Sequence, residues 1–141
     1  MMWRKKIGRD ERGAAAIEMA FTLPILLVFI YGIFQVGVIL QANAGMQHAL
    51  GEGARFATIC FNPTATGCAA VDDTAIATRM SNKLFGMNVG SFGTPTVTTP
   101  ATTVCTNCRI LTVTYSVTPS FLLFNGPAIA LTRTKQVYLA S

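Results

Sequence analysis

The 141-residue sequence is poor in charge: only 12% of its residues are Asp, Glu, Lys or Arg, whereas 51% are hydrophobic. A typical soluble domain carries roughly a quarter charged residues, and disordered chains combine low hydrophobicity with high charge. The deficit therefore excludes a disordered chain and argues against an ordinary cytosolic domain. The net charge is +5, but residues 1–13 alone hold five basic and two acidic groups, or +3. No basic stripe follows, which excludes a nucleic-acid-binding surface.

Residues that carry chemistry are scarce as well. A single histidine, His48, excludes a histidine relay and a multi-histidine metal site. There is no Gly-x-Ser-x-Gly motif and no phosphate-binding glycine loop, and the pair Asp72–Asp73 is typical of a helix start. The sequence thus predicts a protein that is not an enzyme, with no cofactor, no metal and no small-molecule substrate.

One long stretch has no charged residue at all. It runs between Glu18 and Glu52, and within it residues 19–40 are apolar apart from Thr22 and Gln35. A bilayer core requires about 20 apolar residues in a helix, and a small soluble protein cannot bury an all-round apolar cylinder of this length. The stretch predicts a transmembrane helix whose N-terminus is held in the cytoplasm by the preceding basic cluster. Everything beyond the span is then exported, in a bacterium to the periplasm.

Two alternatives are open for this segment. A secretory signal peptide shares the basic start, and residues 42–44 (Ala-Asn-Ala) offer a cleavage site, but its apolar region runs over only about 7–15 residues. A signal anchor that is never processed fits the span as well. The protein would then be an uncleaved single-pass envelope protein that presents a small disulfide-bonded binding domain.

A glycine and a lone carboxylate mark the junction between leader and span. Gly13 ends the charged leader, residues 14–16 are alanines, and Glu18 stands at the start of the apolar run. A carboxylate entering hydrocarbon costs a few kcal/mol, so such a residue usually has a partner. The helix dipole also favours negative charge near a helix N-terminus. The dipole explains why Glu18 is tolerated, but not why Gly13 and three alanines precede it.

This junction resembles the processing site of type IV pilin-like proteins. More specifically, residues 12–57 resemble the TadE-like pseudopilins of the tight-adherence (Tad/Flp, type IVb-like) pilus. The start reads GAAAIEMA over residues 13–20, with Met19 where the family usually has an aromatic residue. The close reads GEGARFA, with Gly51 where Arg is common. The core of this closing motif is Glu52, Gly53, Ala54 and Arg55.

The resemblance implies a fate for the chain. A prepilin peptidase would cut after Gly13 and leave Ala14 as the new N-terminus. Glu18 would then pair with the terminal amine of a neighbouring subunit during assembly. The protein would be a minor pseudopilin or pilus assembly protein of a secretion and adhesion pilus, in the bacterial inner membrane with its C-terminal domain in the periplasm. Its partners would be the membrane, the peptidase, other Tad pilus subunits and platform proteins.

The helix is expected to continue past the membrane to about Thr58. Small residues recur at every fourth position in this part: Gly45, Ala49, Gly53 and Ala57. Such a row lets another helix or sheet approach closely, although each glycine weakens a helix by about 1 kcal/mol. We expect tertiary or subunit contacts to hold this part of the helix. Glu52 and Arg55 have the spacing of an exposed ion pair.

The remaining residues indicate a small α+β domain with a short helix and an antiparallel sheet. A helix is predicted over residues 71–85, ended by Gly86. Residues 90–103, rich in Thr, Pro and Gly, suggest an irregular or edge strand. Residues 109–118 alternate cleanly and predict a half-buried strand, and residues 128–139 predict a second one. The organisation is a leader (1–13), an N-terminal helix (14–58) and an exported domain (59–141).

The connection between the two strands, residues 119–127, holds four consecutive large apolar residues (FLLF). Such a run is unusual in a loop that faces water. Either it packs under the sheet, or it contacts the membrane surface or a partner subunit.

Four cysteines lie on the exported side: Cys60, Cys68, Cys105 and Cys108. In an oxidising compartment an even count predicts two disulfides, for which three pairings are possible. We favour the local pairing, Cys60–Cys68 and Cys105–Cys108. The rival is a pairing of each of the first two cysteines with one of the last two. Cys105 and Cys108 would otherwise be the redox centre of a membrane-tethered thiol-disulfide oxidoreductase, or all four cysteines would bind zinc. The β-branched surroundings and the wide first spacing argue against both.

Overall fold

One helix accounts for about a third of the chain. In the computed structural model the described residues are 11–59, 63–64, 67–68, 71–87, 89–101, 105, 107–121 and 124–139. The helix, α1, spans Glu11–Thr58 without interruption, with Pro24 inside it. Its end at Thr58 agrees with the sequence prediction. At 48 residues it is about 72 Å long, which is longer than the domain that packs against it requires.

The other elements are short, apart from two ten-residue strands. In chain order they are β1 (Pro63–Thr64), β2 (Gly67–Cys68), α2 (Asp73–Ser81), β3 (Ser91–Phe92), β4 (Thr96–Thr98), β5 (Cys108–Val117), β6 (Ser120–Phe121), β7 (Phe124–Asn125) and β8 (Ile129–Tyr138). The α+β class predicted from the sequence is therefore confirmed.

The main sheet is antiparallel and has β5 at its centre. β8 pairs with β5 along its whole length, from Cys108↔Tyr138 to Val117↔Ile129. β3 and β4 pair with successive parts of the other edge of β5. β1–β2 and β6–β7 form two separate small hairpins. The strand predicted over residues 109–118 is confirmed, since the side chains at 111, 113, 115 and 117 are all buried.

The second helix is shorter than predicted. It covers Asp73–Ser81, because the backbone N–H of Lys83 and Leu84 each bond three residues back in tight turns. Gly86 therefore lies five residues beyond the helix instead of capping it. A Cβ at Gly86 would stand 3.0 Å from Cζ of Phe92 and 3.7 Å from Cα of Ala42. This glycine is required by close packing and not by helix termination.

The core lies where α1, α2 and the sheet meet. Its largest fully buried side chains are apolar or aromatic: Val38, Met46, Ile76, Met80, Leu111, Val113 and Tyr115. Each contributes about 1.5–3 kcal/mol by leaving water. Among the described side chains, those that α1 contributes to this core begin at Val38, so the domain packs against the second half of the helix.

Tyr115 is the one member of this set that carries a hydroxyl. The side chain is only 1% exposed, and its hydroxyl has no hydrogen-bond partner among the described residues. Burial raises the pKa of the phenol above its ordinary value of 10.0. An unsatisfied buried hydroxyl costs about 1–3 kcal/mol. We therefore expect Tyr115→Phe to increase the free energy of unfolding by about 1 kcal/mol at neutral pH.

The same substitution should change the alkaline stability. Because the folded pKa exceeds the unfolded one, the stabilisation present below about pH 10 is lost as pH rises through the folded pKa. Urea unfolding of the full-length protein in detergent, at neutral pH and at about pH 10.5, should show a smaller alkaline loss for Tyr115→Phe. Tyr138→Phe is the matched control, since Tyr138 is 64% exposed. Equal alkaline losses in both variants would contradict the role of Tyr115.

Candidate functional site

The first half of α1 makes few contacts with the other described residues. Its large side chains are exposed, for example Phe21 at 73%, Ile25 at 70% and Phe29 at 65%. The first fully buried one among the described side chains is Gln35. Residues 11–34 are about 36 Å long and a bilayer core is about 30 Å thick. Among the described residues, α1 is the one helix long and apolar enough to cross a membrane.

Gly13, Ala14 and Glu18 lie at the start of this projecting segment. The Gly13–Ala14 bond is in the first turn of α1, the part of a helix that frays most readily. A Cβ at Gly13 would meet nothing within 4 Å. The backbone oxygen of Glu18 accepts a hydrogen bond from Oγ1 of Thr22 at 2.6 Å. Within the described part of the chain, the Glu18 carboxylate itself has no hydrogen bond or ion pair.

The row of small residues is buried inside the domain. Gly45, Ala49, Gly53 and Ala57 are all buried. A Cβ at Gly45 would collide with the backbone of Phe85 just after α2. A Cβ at Gly53 would stand 2.9 Å from Sδ of Met80 and 3.4 Å from Cδ1 of Leu111. The sequence left tertiary and subunit contacts open for this row, and in the structure its contacts are tertiary.

The closing motif also serves the contact between the two helices. Glu52 pairs with Arg79 of α2 at 3.5 Å and not with Arg55, because the glutamate points across to the second helix. Gly53 and Ala54 are buried, while Arg55 is exposed. A partly exposed pair of this kind is worth at most about 1 kcal/mol. The small residues of the motif therefore contribute more than its charges.

Cys105 and Cys108 form a disulfide with a Cα–Cα distance of 6.0 Å. Cys108 begins β5 and is buried, and Nε2 of Gln136 lies 3.4 Å from its sulfur. Redox-active Cys-x2-Cys pairs depend on electropositive settings such as a helix N-terminus, whereas this pair leads into a strand. Cys60 lies outside the described residues, and so does the side chain of Cys68. Because Cys105 and Cys108 are bonded to each other, Cys60 and Cys68 are left to pair. That second disulfide stays a prediction.

The connection at residues 119–127 holds a contact that the sequence did not identify. Its described residues form the β6–β7 hairpin, in which β6 lies against α1, whereas Leu122 and Leu123 lie outside the described residues. Nε2 of Gln35 donates to the backbone oxygen of Ser120 at 3.0 Å, and the hydroxyls of Tyr31 and Ser120 are 3.5 Å apart. A Cβ at Gly32 would be 4.0 Å from the Phe121 ring. Two features of the sequence are consistent with this contact. They are the amide side chain of Gln35 within the apolar stretch and the apolar residues of the connection itself.

The comparison with protein families finds one match along this helix. Residues 13–55 match the family model described as TadE-like protein. No curated protein and no solved structure matches the chain. The match begins at Gly13, includes Glu18 and ends at Arg55, so it covers the projecting half of α1 and most of its packed half. The resemblance noted in the sequence is thereby confirmed and associates the chain with a Tad pilus in general terms. Over residues 13–55, which are less than a third of its length, the chain is similar to the TadE-like family.

Proposed function

We propose that this chain is a minor pseudopilin or assembly protein of a Tad-type pilus. α1 holds it in the bacterial inner membrane, with the leader in the cytoplasm and the sheet domain in the periplasm. One observation carries the proposal: the TadE-like match falls on a helix whose first half is apolar and largely exposed within the described part of the chain. A surface of this kind must be covered by lipid or by other subunits.

Processing would turn the start of α1 into an assembly element. Prepilin peptidase hydrolyses the peptide bond after Gly13, so that Gly13 leaves with the charged leader and Ala14 gains a free amine. Ala14 and Glu18 are four residues apart, or about 6 Å along a helix. The carboxylate of one subunit can therefore meet the amine of a neighbour at nearly the same depth. In a medium of low dielectric constant, each of these charges gains most from the other.

N-terminal sequencing of the protein from its native membranes tests this proposal. We expect a start at Ala14, and we expect Gly13→Trp or loss of the host's prepilin peptidase to abolish it. Gly8→Trp is the matched control, because it places the same bulky residue in the leader away from the scissile bond. Processing should continue in that variant.

Two other results would contradict the proposal. An intact leader would make the protein an uncleaved signal anchor that presents an envelope domain. A start at Gly45 would indicate a secreted soluble protein and would exclude a membrane-embedded assembly role.

A further inference from the structure

The β6–β7 hairpin and α1 enclose an apolar groove of about 680 Å³. Its wall on the hairpin is formed by Phe121 and Phe124, whose rings are 5.0 Å apart. Phe124 is 60% exposed although it lies beside the helix. The wall on α1 includes Phe29, Ile33, Val36 and Leu40. A groove of this composition favours a long apolar occupant.

Toward the C-terminal end of α1, the helix face that forms the groove becomes polar. Residues 29, 33, 36 and 40 follow the spacing of three and four that keeps side chains on one side of a helix, and Asn43 and Gln47 extend the same series. The side chains thus change from apolar to polar between Leu40 and Asn43. These two residues are about 4.5 Å apart along the axis.

Two basic side chains of β8 lie against this polar part. Nε of Arg133 donates to Oδ1 of Asn43 at 2.8 Å, which holds the guanidinium beside α1. Arg133, Lys135 and Gln47 line a second cavity of about 350 Å³. The basic pair therefore lies directly beyond the outer end of the apolar groove, on the same side of the helix.

No carboxylate neutralises this pair within the described residues. The ion pairs recorded there are Glu52–Arg79 and Asp73–Arg109. The sequence contains no acidic residue after Asp73. Arg133 and Lys135 are both exposed, so their charges are available to an external anion.

The position along α1 indicates which anion that is. The groove involves residues 28–40, which is the outer part of the apolar stretch over residues 19–40. Ile33 is about 22 Å beyond Glu18 along the helix axis. If α1 spans the membrane as proposed above, the groove opens into the outer leaflet of that membrane. Arg133 then lies at the level of the lipid phosphates.

We propose that this site binds an anionic phospholipid of the outer leaflet. One acyl chain lies in the groove between α1 and the hairpin, and the phosphate is bound by Arg133 and Lys135. The fork of Arg133 is suited to bidentate phosphate binding, and Lys135 adds a second positive charge. A parallel second copy of α1 fits less well, because it has no carboxylate between Glu18 and Glu52 to offer the basic pair.

Photocrosslinking of the full-length protein in phosphatidylcholine vesicles tests the inference. The vesicles contain a minor fraction of phosphatidylglycerol or phosphatidylcholine with a photoreactive group on the acyl chain, and adducts are mapped by mass spectrometry. We expect adducts within residues 28–40 and on the hairpin, with phosphatidylglycerol preferred. Removing the charges in Arg133→Gln/Lys135→Gln should lower this preference about fivefold per charge, since one basic residue near a membrane is worth about 1 kcal/mol.

The matched charge control is Arg79→Gln/Lys83→Gln, which removes one Arg and one Lys elsewhere in the domain and should keep the preference. A second variant tests the groove directly. Gly37 lines it, and a Cβ there would meet nothing within 4 Å. Gly37→Leu should fill the groove and abolish adducts in it without disturbing the fold. Gly51→Leu, also in open space but outside the groove, should not.

Three results would overturn the inference. They are equal capture of both lipids, adducts spread evenly around α1, and a groove that gains no lipid adduct because a second copy of the chain fills it. Extraction of the membranes with alkaline carbonate separates this inference from the proposed function. A chain that stays in the membrane without a lipid preference refutes only the lipid site, whereas a chain that is released refutes both.

Discussion

Replacing Glu18 by Val is expected to abolish assembly of this subunit while leaving its insertion and processing intact. The Glu18 carboxylate has no partner within the described residues, so the substitution removes no contact among them and makes the helix more apolar. In an assembled state the same change would leave a neighbour's terminal amine unpaired in a low-dielectric setting. Breaking a buried ion pair costs about 3–5 kcal/mol, or roughly two to four orders of magnitude in an association constant.

The measurement is the number of surface pili by electron microscopy, together with crosslinking of the tagged subunit to its neighbours in the membrane. Glu18→Asp keeps the charge and should retain part of the assembly. Glu52→Gln is the matched control, because it removes a carboxylate from the same helix but from a partly exposed pair worth at most about 1 kcal/mol. Normal pili and normal crosslinking in Glu18→Val, with the N-terminus still at Ala14, would show that the carboxylate has no assembly role.

Local patterns predicted the elements of this fold well. The alternation in residues 109–118 identified β5 and its buried face, because a period of two is specific to a half-buried strand. The apolar stretch at residues 19–40 identified the projecting helix, since such a stretch has no equivalent in a small soluble core. Gly13 and Glu18 were found by their spacing and by the resemblance that it carries. Their roles remain predictions.

Contacts between distant segments could not be predicted in the same way. Gln35 and Ser120 are 85 residues apart, and nothing in the sequence around either residue specifies the other. The same holds for Gly45 and Phe85. Their contact depends on how the turn after α2 directs the backbone, and the apolar spacing that predicts a helix over residues 71–85 continues past that turn. Periodicity shows which face of a helix is buried but not which segment covers it.

The two halves of α1 are built for different surroundings. The outer surface of the first half is apolar and exposed, while the buried face of the second half consists largely of small residues. Small residues let α2 and the sheet approach the helix axis, so a thin domain of fewer than a hundred residues can still bury a core. The domain thus uses the helix as one wall of its own interior. The stability of the domain therefore depends on the side chains of this buried face staying small.

Gly45→Ala is therefore expected to destabilise the domain strongly, although alanine is the better helix former. The added Cβ would collide with the carbonyl oxygen of Phe85 and stand 3.0 Å from its carbonyl carbon. Backbone atoms cannot rotate away as a flexible side chain can, so the segment after α2 must move. His48 would lose its contacts there, since its ring packs on Phe85 and its Nδ1 lies 3.4 Å from the backbone oxygen of Lys83. Overpacking costs about 1–3 kcal/mol, a large part of the stability of a small domain.

Gly51→Ala provides a matched comparison on the same helix, because a Cβ at Gly51 would meet nothing within 4 Å. There the gain in helix propensity is unopposed and should stabilise the protein by about 1 kcal/mol. Urea unfolding of the full-length protein in detergent, followed by pulse proteolysis of the sheet domain, measures both variants. The urea midpoints of the two variants should move in opposite directions, although both variants replace a glycine of α1 by alanine. If Gly45→Ala is instead as stable as Gly51→Ala, α1 and the segment at Phe85 are not in contact, and the small residues at positions 45–57 are free for a neighbouring subunit.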